Sequence, residues 1–161
     1  MASITRKLIE YQGIATPLPI LEEPLSPFKQ FNVSETLDIP QEKPDIEQIV
    51  TVKAELVITK TKIIKTPSAI SLEKQNLTGW KLIVEGHIKQ IVQYVANEPL
   101  QSVHAAHFTV PFSTYVILPP DYEEGTLVDI KGYIEDIYAE KLDFRKIFKN
   151  ITILLTAKII K

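Results

Sequence analysis

Val50, Val52, Ala54, Leu56 and Ile58 are apolar and share one parity, while Thr51, Lys53, Glu55 and Thr59 are polar and share the other. A period of two places successive side chains on opposite faces of an extended chain. This segment can therefore bury its apolar set only as a strand with one face on a core. The same period returns wherever the chain is regular. Trp80, Leu82, Val84, Ile88, Val92 and Tyr94 keep one parity between Gly79 and Val95, as one long bent strand or a hairpin. Gly86, in the middle, suits a bulge or a close backbone approach. Val128, Ile130, Ile134 and Tyr138 repeat the pattern from Leu127 to Tyr138, and Ile151, Ile153, Leu155, Ala157 and Ile159 repeat it at the end. Phe28 to Ile39 holds a short strand, Pro40 to Pro44 a turn, and Thr66-Pro67 stops the strand that begins at Ile49. Only Asp143 to Lys149 is compatible with a helical turn. Roughly seven to nine strands follow, and the fold class is all-β. An antiparallel two-sheet sandwich is the first expectation and a small or partly open barrel the second, since both bury one face of every strand.

The stretch Gln101 to Pro119 supplies the best core candidates, Phe108, Phe112, Tyr115, Ile117 and Leu118, and two of the three histidines. Pro111 cannot donate to a ladder, so the stretch is read as two strands separated there. Ahead of the domain, residues 1–27 combine Pro17, Pro19, Pro24 and Pro27 with Ile4, Leu8, Ile9, Tyr11, Ile14, Leu18, Ile20, Leu21 and Leu25. The prolines break regular elements, and the aliphatic content is too high for a free tail. The expectation is an extended arm, 1–27, in front of a β domain, 28–161. The arm lies either along its own domain or on a neighbouring copy.

Composition narrows function mainly by exclusion. With 161 residues the chain can bury one core without a staple. It has no cysteine, so disulfides, thiolate metal sites and a cysteine nucleophile are out. A net charge of -2 gives no field that favours nucleic acid or an anionic membrane. No apolar run reaches the roughly 18 residues of a spanning helix, and the N-terminus lacks the order of a secretory signal. Lys53, Lys60, Lys62 and Lys65 read as solvated lysines guarding a strand edge.

No arrangement of residues supports catalysis. His104 and His107 have the spacing of two ligands on a helix, but on a strand positions three apart face opposite sides. Ser113, His107 and Asp136 could be named as a triad, yet no nucleophile elbow brings them together. Glu135 and Asp136 are adjacent and so diverge. Gly13, Gly79, Gly86, Gly125 and Gly132 form no phosphate-binding loop. Asp143 and Arg145, with Asp136, are expected to make an ion pair that anchors the loop before the last strand. No catalytic residue, metal ligand or cofactor is assigned.

The order of short motifs resembles the SPOCS domain of spore-coat assembly proteins. It runs through Ile39-Pro40-x-x-Lys43-Pro44-Asp45-Ile46-Glu47-Gln48-Ile49, Gly79-x-x-Leu82-x-Val84-Glu85-Gly86 and Gln93-Tyr94-Val95. It continues with Val103-His104-Ala-Ala-His107-Phe108-x-x-Pro111-Phe112-Ser113, Ile134-Glu135-Asp136 and Leu142-Asp143-x-Arg145-x-Ile147-Phe148-Lys149-Asn150. The resemblance covers roughly residues 25 to 160. It implies a non-enzymatic β domain of the spore envelope that works through protein contacts, with the motif residues in structural roles. Members of the family carry further modules such as a LysM repeat, and the expectation here is a single domain without one. A lone domain with an arm is expected to repeat itself in a layer or filament, with other copies and other spore coat proteins as partners. Synthesis in the mother-cell cytoplasm and deposition on the spore surface would follow. The alternative is a monomeric module that recruits another coat protein or a wall glycan.

Overall fold

The computed structural model describes residues 3–21 and 26–160. Eight strands follow in chain order: β1 (Ser3–Arg6), β2 (Ile9–Gln12), β3 (Phe28–Asp38), β4 (Ile46–Ile70), β5 (Asn76–Ala96), β6 (Val103–Ile117), β7 (Leu127–Lys141) and β8 (Lys146–Ile160). They form a five-stranded sheet in the order β1-β2-β4-β5-β6 and a three-stranded sheet in the order β3-β8-β7. The two sheets stay separate, so the architecture is the sandwich and not the barrel. Every ladder is antiparallel except that between β2 and β4, which is parallel.

The core lies where the inner faces meet. β5 contributes Leu82, Val84, Ile88, Val92, Tyr94 and Ala96, and β8 contributes Ile147, Ile151, Ile153, Leu155 and Ala157. Leu82, Val84, Ile88, Val92 and Tyr94 on β5 and Ile151, Ile153, Leu155 and Ala157 on β8 are those expected from the alternation, while Trp80 and Ile159 are only partly buried. Each large aliphatic side chain is worth roughly 1.5–3 kcal/mol on full burial. The parity of β7 changes partway. A register shift between Ile134 and Asp136 turns Ile137 and Ala139 inward and leaves Tyr138, expected inside, on the outer side.

Several boundaries differ from expectation for one reason: ladders continue through residues that punctuate isolated strands. β6 is unbroken through Pro111, which sits opposite His87 on the edge of the larger sheet, where a missing N–H costs nothing on the solvent side. β4 passes Thr66-Pro67 by a bulge between Lys65 and Ser68, opposite Gly79, whose φ is +98°. Gly79 to Val95, by contrast, takes the first of its two expected forms, one long strand: it lies within β5, paired along its length with β4. Asp143 to Lys149 forms no helix. A turn through 143–145 leads directly into β8.

Gly86 marks a close approach, as its position suggested. A Cβ there would stand 2.2 Å from Val57 O and 2.8 Å from the Phe112 ring, beside the β4 bulge between Ile58 and Lys60. Backbone cannot retreat from a methyl group at that distance. Gly86→Ala is therefore expected to cost about 3 kcal/mol of stability, read as a lower urea midpoint at unchanged slope.

Candidate functional site: the motif pole, the seam and the buried lysine

The family-like motifs converge at one end of the sandwich. Arg145 holds that end together: its guanidinium donates to Lys43 O at 2.6 Å, Pro40 O at 2.9 Å and Ile39 O at 3.4 Å, and pairs with Asp45 at 3.2 Å. Two carbonyls of the Pro40–Pro44 turn and that of Ile39 just before it thus share one planar donor, a role that a lysine's point charge would not fill. Asp143 Oδ1 accepts the backbone N–H groups of Arg145 and Lys146, both at 2.7 Å, which shapes the turn presenting the guanidinium. Tyr94 donates its hydroxyl to Pro44 O at 2.8 Å. Burial raises the Tyr94 pKa, against the lowering effect of Arg145, so the phenol stays a donor. His104 lies against the Tyr94 ring and bonds Ser102, with Glu98 3.7 Å away.

Asp136 does not join this cluster. Arg145 pairs with Asp45 and not with Asp136, the partner expected near it; Asp136 pairs instead with Arg6 at 2.9 Å. β7 carries Asp136 past the bulge toward the N-terminal strands, away from the pole.

Those N-terminal strands form the second feature, a seam. β1 and β2 turn back through Lys7 and Leu8, both at positive φ, and β2 then lies beside β4. Tyr11 is 1% exposed and grips β7 twice, its hydroxyl donating to Ala139 O at 3.3 Å and accepting from Ala139 N at 3.1 Å. Ala15 N donates to Ile134 O at 2.8 Å, and Arg6 bonds Ile137 O. Backbone groups along β7 are thereby satisfied by the segment that also extends the other sheet, which closes this side of the sandwich. Gly13 permits the fit, since its φ is +114° and a Cβ would stand 2.1 Å from Ala54 O. Of the arm residues, Ile9, Tyr11 and Ile14 are buried against their own domain, Leu21 is half-buried, and Ile4, Leu8, Leu18 and Ile20 are exposed. Leu25 lies outside the described residues.

The other motif residues serve packing. Phe112 packs on Phe31 with ring centroids 5.3 Å apart and fills the space left by Gly86. Phe108 lies under the Lys149 ammonium at 4.3 Å. His107 points to the outer face of β6, opposite to His104, so the two imidazoles diverge. Ser113 shares that outer face but stands roughly 20 Å further along the strand, and Asp136 belongs to the other sheet. Among the described residues no three His, Asp or Glu side chains are grouped to hold a metal ion.

One cluster was missed at the sequence level. Lys149, 1% exposed, projects between the sheets with its ammonium 3.7 Å from Glu35, and Gln90 donates to the same carboxylate oxygen at 3.0 Å. Neither Lys149 Nζ nor Gln90 Oε1 has a hydrogen-bond partner. Burial lowers the Lys149 pKa to about 8, with Glu35 opposing the shift. The signal was present in the alternation, because Lys149 has the parity of Ile147, Ile151 and Ile153.

A sequence profile of the SipL SPOCS domain matches residues 45–142. The chain belongs to the SPOCS domain family. Its match begins at Asp45, within the Arg145 cluster, and ends just before Asp143, so the Pro40–Pro44 turn, the Asp143–Asn150 motif and the N-terminal seam flank the matched part. Membership links this SPOCS protein to a spore coat-related role in a family of structural, coat-assembly domains. No curated protein and no solved structure matches the chain.

Proposed function

We propose that this SPOCS protein is a non-enzymatic structural component of the bacterial endospore envelope, made in the mother cell and deposited on the spore surface, where it self-assembles into a layer or filament. The observation behind an arm-based mechanism is the seam. Residues 3–15 fill a slot between β4 and β7 without any covalent tie, joined to β3 only through residues 16–27. Twelve residues can reach about 40 Å when extended, far enough to deliver the same segment to the slot of a neighbour with every contact preserved. Such an exchange propagates when each copy gives one way and receives another.

Docking in cis, as Ile9, Tyr11 and Ile14 do in a single chain, favours the second reading, a monomeric module that recruits another coat protein or a wall glycan. Gln12 and Lys53 are direct neighbours in the parallel ladder, and the protein has no other thiol once both are changed to cysteine. Oxidised Q12C/K53C protein, taken from concentrated solution and run without reductant, is expected to give a ladder of covalent multimers. A single band of monomer, together with a monomeric mass in light scattering, would establish the recruiting module instead.

A further inference from the structure

The β4–β5 hairpin outruns the rest of the fold. β6 leaves β5 at Lys81, and Thr66 to Gly79 continues as two strands with the 71–75 loop at its tip. Trp80 packed edge-on against Tyr122 and Thr78 Oγ1 donating to Leu118 O fix its base. The strand residues past Lys65 carry the tip roughly 15 Å outward. There Ile70 is 71% and Leu72 98% exposed, on a projection whose strands pair again from Ser68–Thr78 to Ile70–Asn76 beyond the bulge between Lys65 and Ser68. This half of the hairpin is also basic. Lys60, Lys62, Lys65, Lys74 and Lys81 face only Glu73 and Glu85 between residues 59 and 85.

The far end of the same hairpin has the opposite character. Segments 38–47, 96–103 and 140–146 meet there, through Asn97 N donating to Asp45 O, Ile46 N to Phe144 O and Lys141 Nζ to Glu47 O. They carry seven acidic side chains against four basic ones. Four apolar side chains, Leu100, Val103, Leu142 and Phe144, are exposed among them, Leu100 at 90%.

We infer that the hairpin tip of one copy docks on the motif pole of the next, Ile70 and Leu72 against the Leu100–Phe144 patch, with the lysines of one copy facing the acidic rim of the other. A basic, apolar projection and an acidic, apolar pole on one molecule are complementary to each other and not to themselves, which selects a head-to-tail contact over a two-fold pair. Contacts of that kind do not close and so extend into a strand of copies. The contact rests on the reading of this protein as a self-assembling subunit, but it uses none of the N-terminal seam. Together the two contacts would give a layer its two directions.

The test is the concentration dependence of mass in sedimentation velocity, run on the full chain. Ile70→Asp with Leu72→Asp leaves the fold untouched, because both side chains are solvated, and is expected to raise the concentration for half-assembly at least tenfold. Lys62→Glu with Lys65→Glu should weaken assembly similarly, as should Glu42→Lys with Glu47→Lys on the pole. Mixing the last two variants should restore it, and about 1 M salt, with a Debye length near 3 Å, should weaken the wild type. Wild-type assembly in the I70D/L72D variant overturns the docking contact while leaving self-assembly standing. A wild type that stays monomeric at every concentration overturns both.

Discussion

Tyr11→Ala is expected to lower folding stability by about 4 kcal/mol, the magnitude of truncating a fully buried aromatic side chain. Part of that loss is not packing, because the Tyr11 hydroxyl serves both the N–H and the C=O of Ala139, and both would be stranded at the edge of the smaller sheet. Tyr11→Phe separates the two contributions: it keeps the ring and is expected to cost about 2 kcal/mol. Equilibrium urea unfolding of the three proteins reads both effects. If Y11A unfolds within about 1 kcal/mol of the wild type, a scale typical of substitutions that touch little, the seam contributes nothing to the body and the N-terminal strands are an accessory. The size of the effect also bears on the proposed exchange between copies, since the segment would leave its own slot only at this cost or in concert with an incoming copy.

Glu35→Gln is expected to cost about 3 kcal/mol near neutral pH, because it leaves the Lys149 ammonium buried with no opposing charge. Lys149→Met should cost less, since it removes an incompletely bonded buried cation and leaves behind Glu35, which is partly solvated and still accepts from Gln90. The two variants differ in size although they break the same pair. The pH dependence is a further check. Lys149 titrates at about 8 in the folded protein and at its ordinary 10.5 once unfolded. Below pH 8 both states hold the proton, and the cost of burying the charge is fully present. Between about 8 and 10.5 the unfolded chain binds more protons than the native one, so stability contributed by this group rises with pH, by up to about 3 kcal/mol. Wild-type stability relative to K149M should accordingly increase from pH 7 to pH 10 in denaturant titrations. A constant difference across that range would mean that Lys149 is not held below its ordinary value.

Strand alternation alone carried the fold class, because a period of two leaves one solution for burying the apolar face, and the sets on β5 and β8 lie inside as that period requires. The ordered motifs were equally legible, and they carried the family. Local punctuation was a poorer guide. Pro67 and Pro111 mark strand ends in isolation, yet a bulge opposite Gly79 and a free edge beyond β6 absorb them. The β7 bulge reversed the facing of Tyr138 in the same way, since one inserted residue exchanges inner and outer parity.

What the amino-acid order determined by itself was the kind of layer each segment could join and the kinship of the whole. Which groups meet was decided by the tertiary structure. Arg145 bonds Asp45, a hundred residues away, and not the nearer Asp136, because the sheets bring the 38–46 and 142–146 segments to one pole while β7 delivers Asp136 to Arg6. Likewise, nothing local distinguishes Ile9, Tyr11 and Ile14 from Leu8, Leu18 and Ile20. The first three are buried and the others exposed because only the first three face the slot between β4 and β7, and that slot exists only once two sheets have been stacked.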